Sequence, residues 1–287
     1  MRDFTVEKYK QIILSLKEAG YYFINMQEAF NYKDLYTRND IAIIRHDIDT
    51  KYDLSIALEM AKFEADQGIR TTYYFRIIPA VYNESVMKKI QELGHEIGYH
   101  YEVLTFAKGD LDKAIELFQN DLSKFRKEFS VSTICQHGGA MGHYETTSFK
   151  GIFKIGIGLL TGKVKIKYNP SIDLWDHYNF KDYGIIGDAY ITLDHNKIKY
   201  FSDTGLRWDG DKSRIIDKVT EGEKAKIKAR TSNELIGLIK DHNIGSINLL
   251  VHPANWHDPF FNWLRWRIIQ KFRNLVKRTF KLLSSRS

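Results

Sequence analysis

The 287-residue chain contains one cysteine and four prolines, and nowhere does it run to about 18 consecutive uncharged apolar residues. A single thiol excludes a disulfide framework and any cysteine-only zinc cluster, and it fits a reducing compartment. The missing apolar run excludes a membrane-spanning helix. Asp3, Glu7 and Lys8 stand where a secretory leader needs unbroken apolar residues, so a cytoplasmic location is expected. Acid is locally missing too: residues 265–287 hold eight Lys or Arg and no Asp or Glu, leaving 35 basic and 36 acidic residues elsewhere. The formal charge of +7 therefore belongs to one end of the chain, attached to a neutral body.

What is present is an alternation of short apolar runs with amphipathic segments. A helix is expected over 6–19, stopped by Gly20. Ile41–Ile44 is a β-branched run typical of a buried strand. Residues 53–67 repeat apolar positions at helical spacing up to Gly68, and 71–77 reads as a strand. Asn83 caps a helix reaching Gly94, 95–102 is a strand, Asp110 caps a helix over 111–129, and 131–136 is a strand. Helix and strand return at 232–242 and 247–252, after an irregular stretch of insertions around 140–230 with a hairpin near Lys163–Lys167. This cadence implies parallel pairing with right-handed crossovers. The expected architecture is an α/β fold, one barrel-like domain over 1–259 followed by a basic amphipathic helix over 260–287.

The residues that end the apolar runs are the informative ones. The first run ends in Arg45-His46-Asp47-Ile48-Asp49, the third in His100-Tyr101-Glu102, the fourth in Gln136-His137-Gly138-Gly139 and the last in His252-Pro253. In a parallel barrel these C-terminal ends open on one face, where such folds keep their chemistry. Carboxylates and imidazoles delivered there from four strands form a donor set for a divalent cation. Asp47 and Asp49 also suit turn or capping roles, and either could bind metal while the other moves protons.

These stretches resemble the polysaccharide deacetylase superfamily, the chitooligosaccharide-deacetylase-like carbohydrate esterases, over roughly residues 40–256. The nearest likeness is to a bacterial branch whose first motif reads His-Asp-x-Asp, as in His46–Asp49. Gly94-His95-Glu96-Ile97-Gly98-Tyr99-His100 is similar to the second motif, and Leu249–Pro253 to the last. Ser202-Asp203-Thr204-Gly205, with Arg207 and Trp208, resembles a segment of the same branch. The resemblance implies a distorted, incomplete (β/α) barrel holding a divalent metal, with zinc the expected ion, and removing N- or O-acetyl groups from sugars. It implies Asp47 as base, Asp49 and His100 as ligands and His252 as acid. Leu104 stands where the common pattern has a second histidine, so Glu102 or His137 must supply the third ligand. The common pattern's arginine that orients the base is absent from Cys135–Gly139, so that role is vacant or filled by Arg45 or Arg207.

Tyr99, Tyr101, Trp175 and Trp208 are candidate stacking surfaces for a sugar ring, with core packing the favoured reading for any one of them. Arg207 is a further candidate substrate-binding residue, and Asp173 is a candidate carboxylate for orienting His252. The expected activity is hydrolysis of an N-acetyl or O-acetyl group on a surface polysaccharide or its lipid-linked precursor. A glycan-binding relative without the metal, or a hydrolase of another amide or ester, are the alternatives. In the tail, an apolar stripe (Phe261, Leu264, Ile268, Phe272, Leu275, Val276, Leu283), Trp263 and Trp266 near its start, and surrounding cations suit an anionic membrane surface on the cytoplasmic side. Packing of its first two turns on the barrel is the competing reading. Nucleic acid is not expected, because the body offers no basic groove.

Overall fold

A computed structural model of the protein describes residues 2–137, 173–208 and 229–284. Eight strands, all parallel, form one curled sheet: β1 (Tyr22–Ile24), β2 (Ile41–Ile48), β3 (Thr72–Phe75), β4 (Glu96–Tyr101), β5 (Thr133–Gln136), β6 (Gly187–Asp188), β7 (Lys199–Ser202) and β8 (Ile247–Val251). Seven follow the order β6-β5-β4-β3-β2-β8-β7, and β1 pairs with the beginning of β2. Among the described residues β6 and β7 do not pair with each other, so the barrel is incomplete. This is the expected fold class.

Period-two alternation decides what each face of the sheet carries. On β2, Ala42 and Ile44 point outward, where they pack with Tyr9, Ile12 and Leu16 of helix α1 (Val6–Glu18) and Leu235 of helix α7 (Ser232–Lys240). Ile41 and Ile43 point inward and join Tyr74, Cys135 and Met26 of helix α2 (Met26–Asn31), which closes the lower end. The same inner rows continue upward into Arg45 and Asp47. The outward face of β4 and β5 packs on helix α6 (Leu111–Phe125) through Phe118, Leu122 and Phe125. Helices α3 (Asp53–Asp66) and α4 (Glu84–Glu92) form the β2–β3 and β3–β4 crossovers, and α5 (Val103–Phe106) precedes α6 between β4 and β5. Asn83 and Asp110 cap α4 and α6 as the sequence implies, each side chain accepting a backbone N–H three residues on. β1, α2, β6 and β7 were not anticipated; the first, third and fourth are too short to give a periodic signal. The hairpin expected near Lys163–Lys167 lies outside the described residues.

Behind the first motif sits a buried polar cluster centred on Glu64 of α3. One carboxylate oxygen receives the Tyr9 hydroxyl and lies 2.7 Å from His46 Nε2, and the other receives Thr71 Oγ1 and Tyr73 Oη, each at 2.8 Å. His95 Nδ1 is 3.7 Å away. Burial raises the Glu64 pKa, but His46, His95 and Tyr9 outweigh it and pull it down to about 2. A carboxyl depressed from its ordinary 4.5 stabilises the fold above that pH and loses this contribution as pH falls toward 2. The loss amounts to about 3 kcal/mol over that window. Glu64→Gln is expected to flatten the acid limb of urea-midpoint against pH between about 4.5 and 2 while lowering the midpoint at neutral pH. An unchanged acid limb would contradict the assignment.

Helix α8 (Phe260–Ser284) starts at the expected residue. It docks over about four turns rather than two. Trp263 Nε1 donates to the Asp3 carbonyl at 2.7 Å. Trp266 Nε1 and Gln270 Nε2 both donate to Asn255 Oδ1, at 2.9 and 3.0 Å, and Asn274 Nδ2 donates to the Gly205 carbonyl at 3.0 Å.

Candidate metal centre

The upper ends of β2, β4, β5 and β8 meet as the sequence implies. Asp49 follows β2, His100 lies on β4, His137 follows β5 and His252 follows β8. Asp49 Oδ1 is 3.2 Å from His100 Nε2 and 3.5 Å from His137 Nε2. Asp49 Oδ2 is 3.8 Å from His252 Nε2.

The far side of each ring fixes its tautomer. His100 Nδ1 faces the Cys135 carbonyl at 2.9 Å, and His137 Nδ1 faces Glu102 Oε2 at 3.1 Å. A carbonyl and a carboxylate only accept, so both Nδ1 atoms carry hydrogen and both Nε2 lone pairs turn toward Asp49. Two lone pairs and a carboxylate oxygen repel one another unless a proton or a cation lies between them. Asp49 Oδ1 is buried and accepts no hydrogen bond. One carboxylate oxygen and two imidazole nitrogens within 4.8 Å of one another could hold a metal ion.

A second group, Asp47, His100 and Cys135, satisfies the same distance criterion. It is the poorer donor set. Burial pushes the Cys135 thiol well up despite the adjacent Arg45, whose guanidinium lies 2.8 Å from the sulfur. A thiol held protonated beside a cation is a weak ligand.

Electrostatics around the rim follow the same pattern. Burial raises the Asp49 pKa, yet His137, His100 and His252 hold the carboxyl well below the usual range. For His137 burial works downward, but Asp49 and Glu102 lift it to about 9, so without a cation a proton sits on Nε2 between it and Asp49, and a bound metal would take that proton's place. For His252 burial again works downward, and Asp203, Asp49 and Asp47 lift it to about 9. His252 Nδ1 lies 2.6 Å from Asp203 Oδ1, its backbone N–H donates to Asp203 Oδ2 at 2.9 Å, and Trp256 Nε1 donates to that oxygen at 2.8 Å. The ring is thereby locked with Nε2 toward the metal group.

Several sequence expectations are corrected by this geometry. Glu102 lies beside the centre, its oxygens engaged by Arg76 and by His137 Nδ1, and it belongs to neither group that could hold a metal ion. Arg76 also donates to the Asp49 carbonyl at 2.8 Å. Asp173 caps the 3₁₀ turn Leu174–Asp176, and the carboxylate that orients His252 is Asp203. Arg45 is buried with a guanidinium nitrogen 3.8 Å from Asp47 Oδ2. Arg207 is half-buried in the loop after β7.

Tyr99 is one residue from His100 and so faces the other way, buried against Phe118 and Phe125 with its hydroxyl on Asp121. Tyr101 points the same way and packs on Phe118. Trp175 stacks edgewise on that group and donates to Tyr101 Oη at 2.7 Å. Trp208 is buried between Phe4 and Trp256, donating to Ser232. None of these four rings lines the rim. His177 is exposed, and His143 lies outside the described residues. Leu104, on α5, packs into the apolar layer beneath α6. Asp203 and Arg76 are the contributors that residue-by-residue reading missed. Both follow short strands, so the strand-end rule applied to β3 and β7 points to them.

No protein-family model matches the chain, and no curated protein matches it.

Proposed function

We propose that the protein is a metal-dependent hydrolase that removes an acetyl group from the nitrogen or oxygen of a sugar in a surface polysaccharide or its lipid-linked precursor. The observation that carries this reading is the gathering of two proton-handling groups beside one donor set. Asp47, beside Arg45, lies 3.6 Å from His100 Nε2, and His252, held by Asp203, lies 3.8 Å from Asp49 Oδ2, next to the group formed by Asp49, His100 and His137. The donor set of one carboxylate and two imidazoles suits zinc. Bound there, the ion would polarise the acyl carbonyl and acidify a water.

The chain's own groups supply the rest. Asp47 Oδ1 is buried and receives no hydrogen bond, so it is available to take a proton from water. Arg45 keeps the other oxygen in place from below. His252 carries its proton in neutral solution and, oriented by Asp203, gives it up from Nε2 to the departing nitrogen or oxygen. Against the glycan-binding alternative, suggested by Leu104, His137 offers a third donor beside Asp49 and His100, and Arg45 lies 3.8 Å from Asp47.

The test is acetate release from a panel of N- and O-acetylated oligosaccharides, assayed with added zinc and after chelation. Asp203→Asn keeps the shape of the His252 support while removing its charge. It is expected to lower kcat about 10–100-fold with little change in KM. Absence of acetate release from every zinc-loaded sample would reject the reading, and an unchanged kcat in Asp203→Asn would reject the role of His252 as the acid.

A further inference from the structure

We infer that the outward face of α8 is a docking surface for an anionic phospholipid membrane. Residues 260–275 divide into two faces. Trp266, Ile269 and Gln270 are buried against the barrel. Opposite them Phe261 is 81% exposed, Leu264 38%, Ile268 51% and Leu275 57%, with Phe260 at the start 51% exposed. Positions 261, 264, 268 and 275 fall on one side of a 3.6-residue helix, so the exposed groups form a single stripe along it. Among the described residues, half of the large exposed apolar side chains lie on this one helix. Scattered exposed apolar residues need no explanation, but a contiguous stripe does.

The flanks of the stripe choose the occupant. Arg265 and Lys271 are exposed on its two sides, and the helix sequence carries no acid. Long cationic side chains beside an apolar stripe reach to headgroup phosphates while the stripe enters the acyl boundary. A second copy of the chain would instead bring two acid-free cationic helices together. A nucleic acid would use the cations and leave the stripe in water. The docked face meanwhile holds the helix to the part of the rim that carries Asp203: Asn255, which takes Trp266 and Gln270, itself donates to the Asp203 carbonyl. The membrane-bound helix would therefore hold the rim near the lipid surface. This inference is independent of the reaction catalysed at that rim.

The experiment is flotation of the full chain with vesicles of mixed phosphatidylglycerol and phosphatidylcholine, against vesicles of phosphatidylcholine alone. Binding is expected to the anionic vesicles and to weaken at high salt. Arg265→Gln with Lys271→Gln is expected to lower the partition coefficient about 30-fold. Ile268→Glu with Leu275→Glu is expected to abolish flotation without changing the circular dichroism melt, since both side chains are exposed. Equal binding to neutral vesicles, or no binding to anionic ones, would overturn the inference. So would light scattering that shows a dimer which the Ile268→Glu and Leu275→Glu pair converts to monomer.

Discussion

Replacing His137 with alanine is expected to strip the protein of bound metal and lower kcat/KM by a thousandfold or more. Removing one of three donors leaves a two-ligand site, and an ion that supplies several kcal/mol of transition-state stabilisation is then lost. Glu102→Gln makes the sharper comparison. If Glu102 orients His137 through Nδ1, the neutral variant should keep metal and lose about 10–100-fold in affinity for it. If Glu102 were instead a ligand, the two variants would fail alike. Zinc titration followed by elemental analysis of both proteins separates these outcomes, and full metal retention in His137→Ala would refute the assigned centre.

The second large effect is expected on stability. A Cβ at position 98 would sit 2.3 Å from Cε1 and 2.4 Å from Cδ1 of Tyr74 on the neighbouring strand. That ring is rigid, fully buried and anchored through its hydroxyl to Thr133 at 2.9 Å, so it has no free end to swing away. Gly98→Ala should destabilise the fold by about 3 kcal/mol, at the upper end of ordinary overpacking, with His100 displaced as β4 shifts. Gly237 in α7 supplies the control of opposite sign. Nothing lies within 4 Å of a Cβ built there, so Gly237→Ala should add about 0.5–1 kcal/mol. Urea midpoints of the two variants measure both. Equal midpoints would show that the Tyr74 contact does not constrain position 98. Gly98, two residues before His100, thus has a packing reason: it leaves room for Tyr74, which fills the barrel below the group that could hold a metal ion.

Much of this was legible because it depends on local rules. Helix caps at Asn83 and Asp110 follow from side-chain oxygens that reach a backbone N–H three residues on. Parallel strands separated by helices place every strand's end on one rim, so Asp49, His100, His137 and His252 could be grouped without coordinates. The same period of two already sets Tyr99 opposite His100, and a stricter use of it would have removed Tyr99 from the substrate-binding candidates. Trp208 packs in the core, the reading its sequence context favoured, but its partners Phe4 and Trp256, far away along the chain, come only from the tertiary structure.

The sequence by itself determined the class of fold, the rim on which polar chemistry gathers, and the cationic amphipathic helix that follows the barrel. These depend on periodicity, caps and composition, which act over a few residues. Tertiary structure alone brought His137, and not Glu102, into one group with Asp49 and His100 that could hold a metal ion, gave His252 its partner in Asp203 and turned one face of α8 inward. Each of those outcomes joins groups 35 or more residues apart across the sheet register or between the loop and α8. Spacing along a chain fixes which side chains share a face, and only closure of the sheet fixes which faces meet.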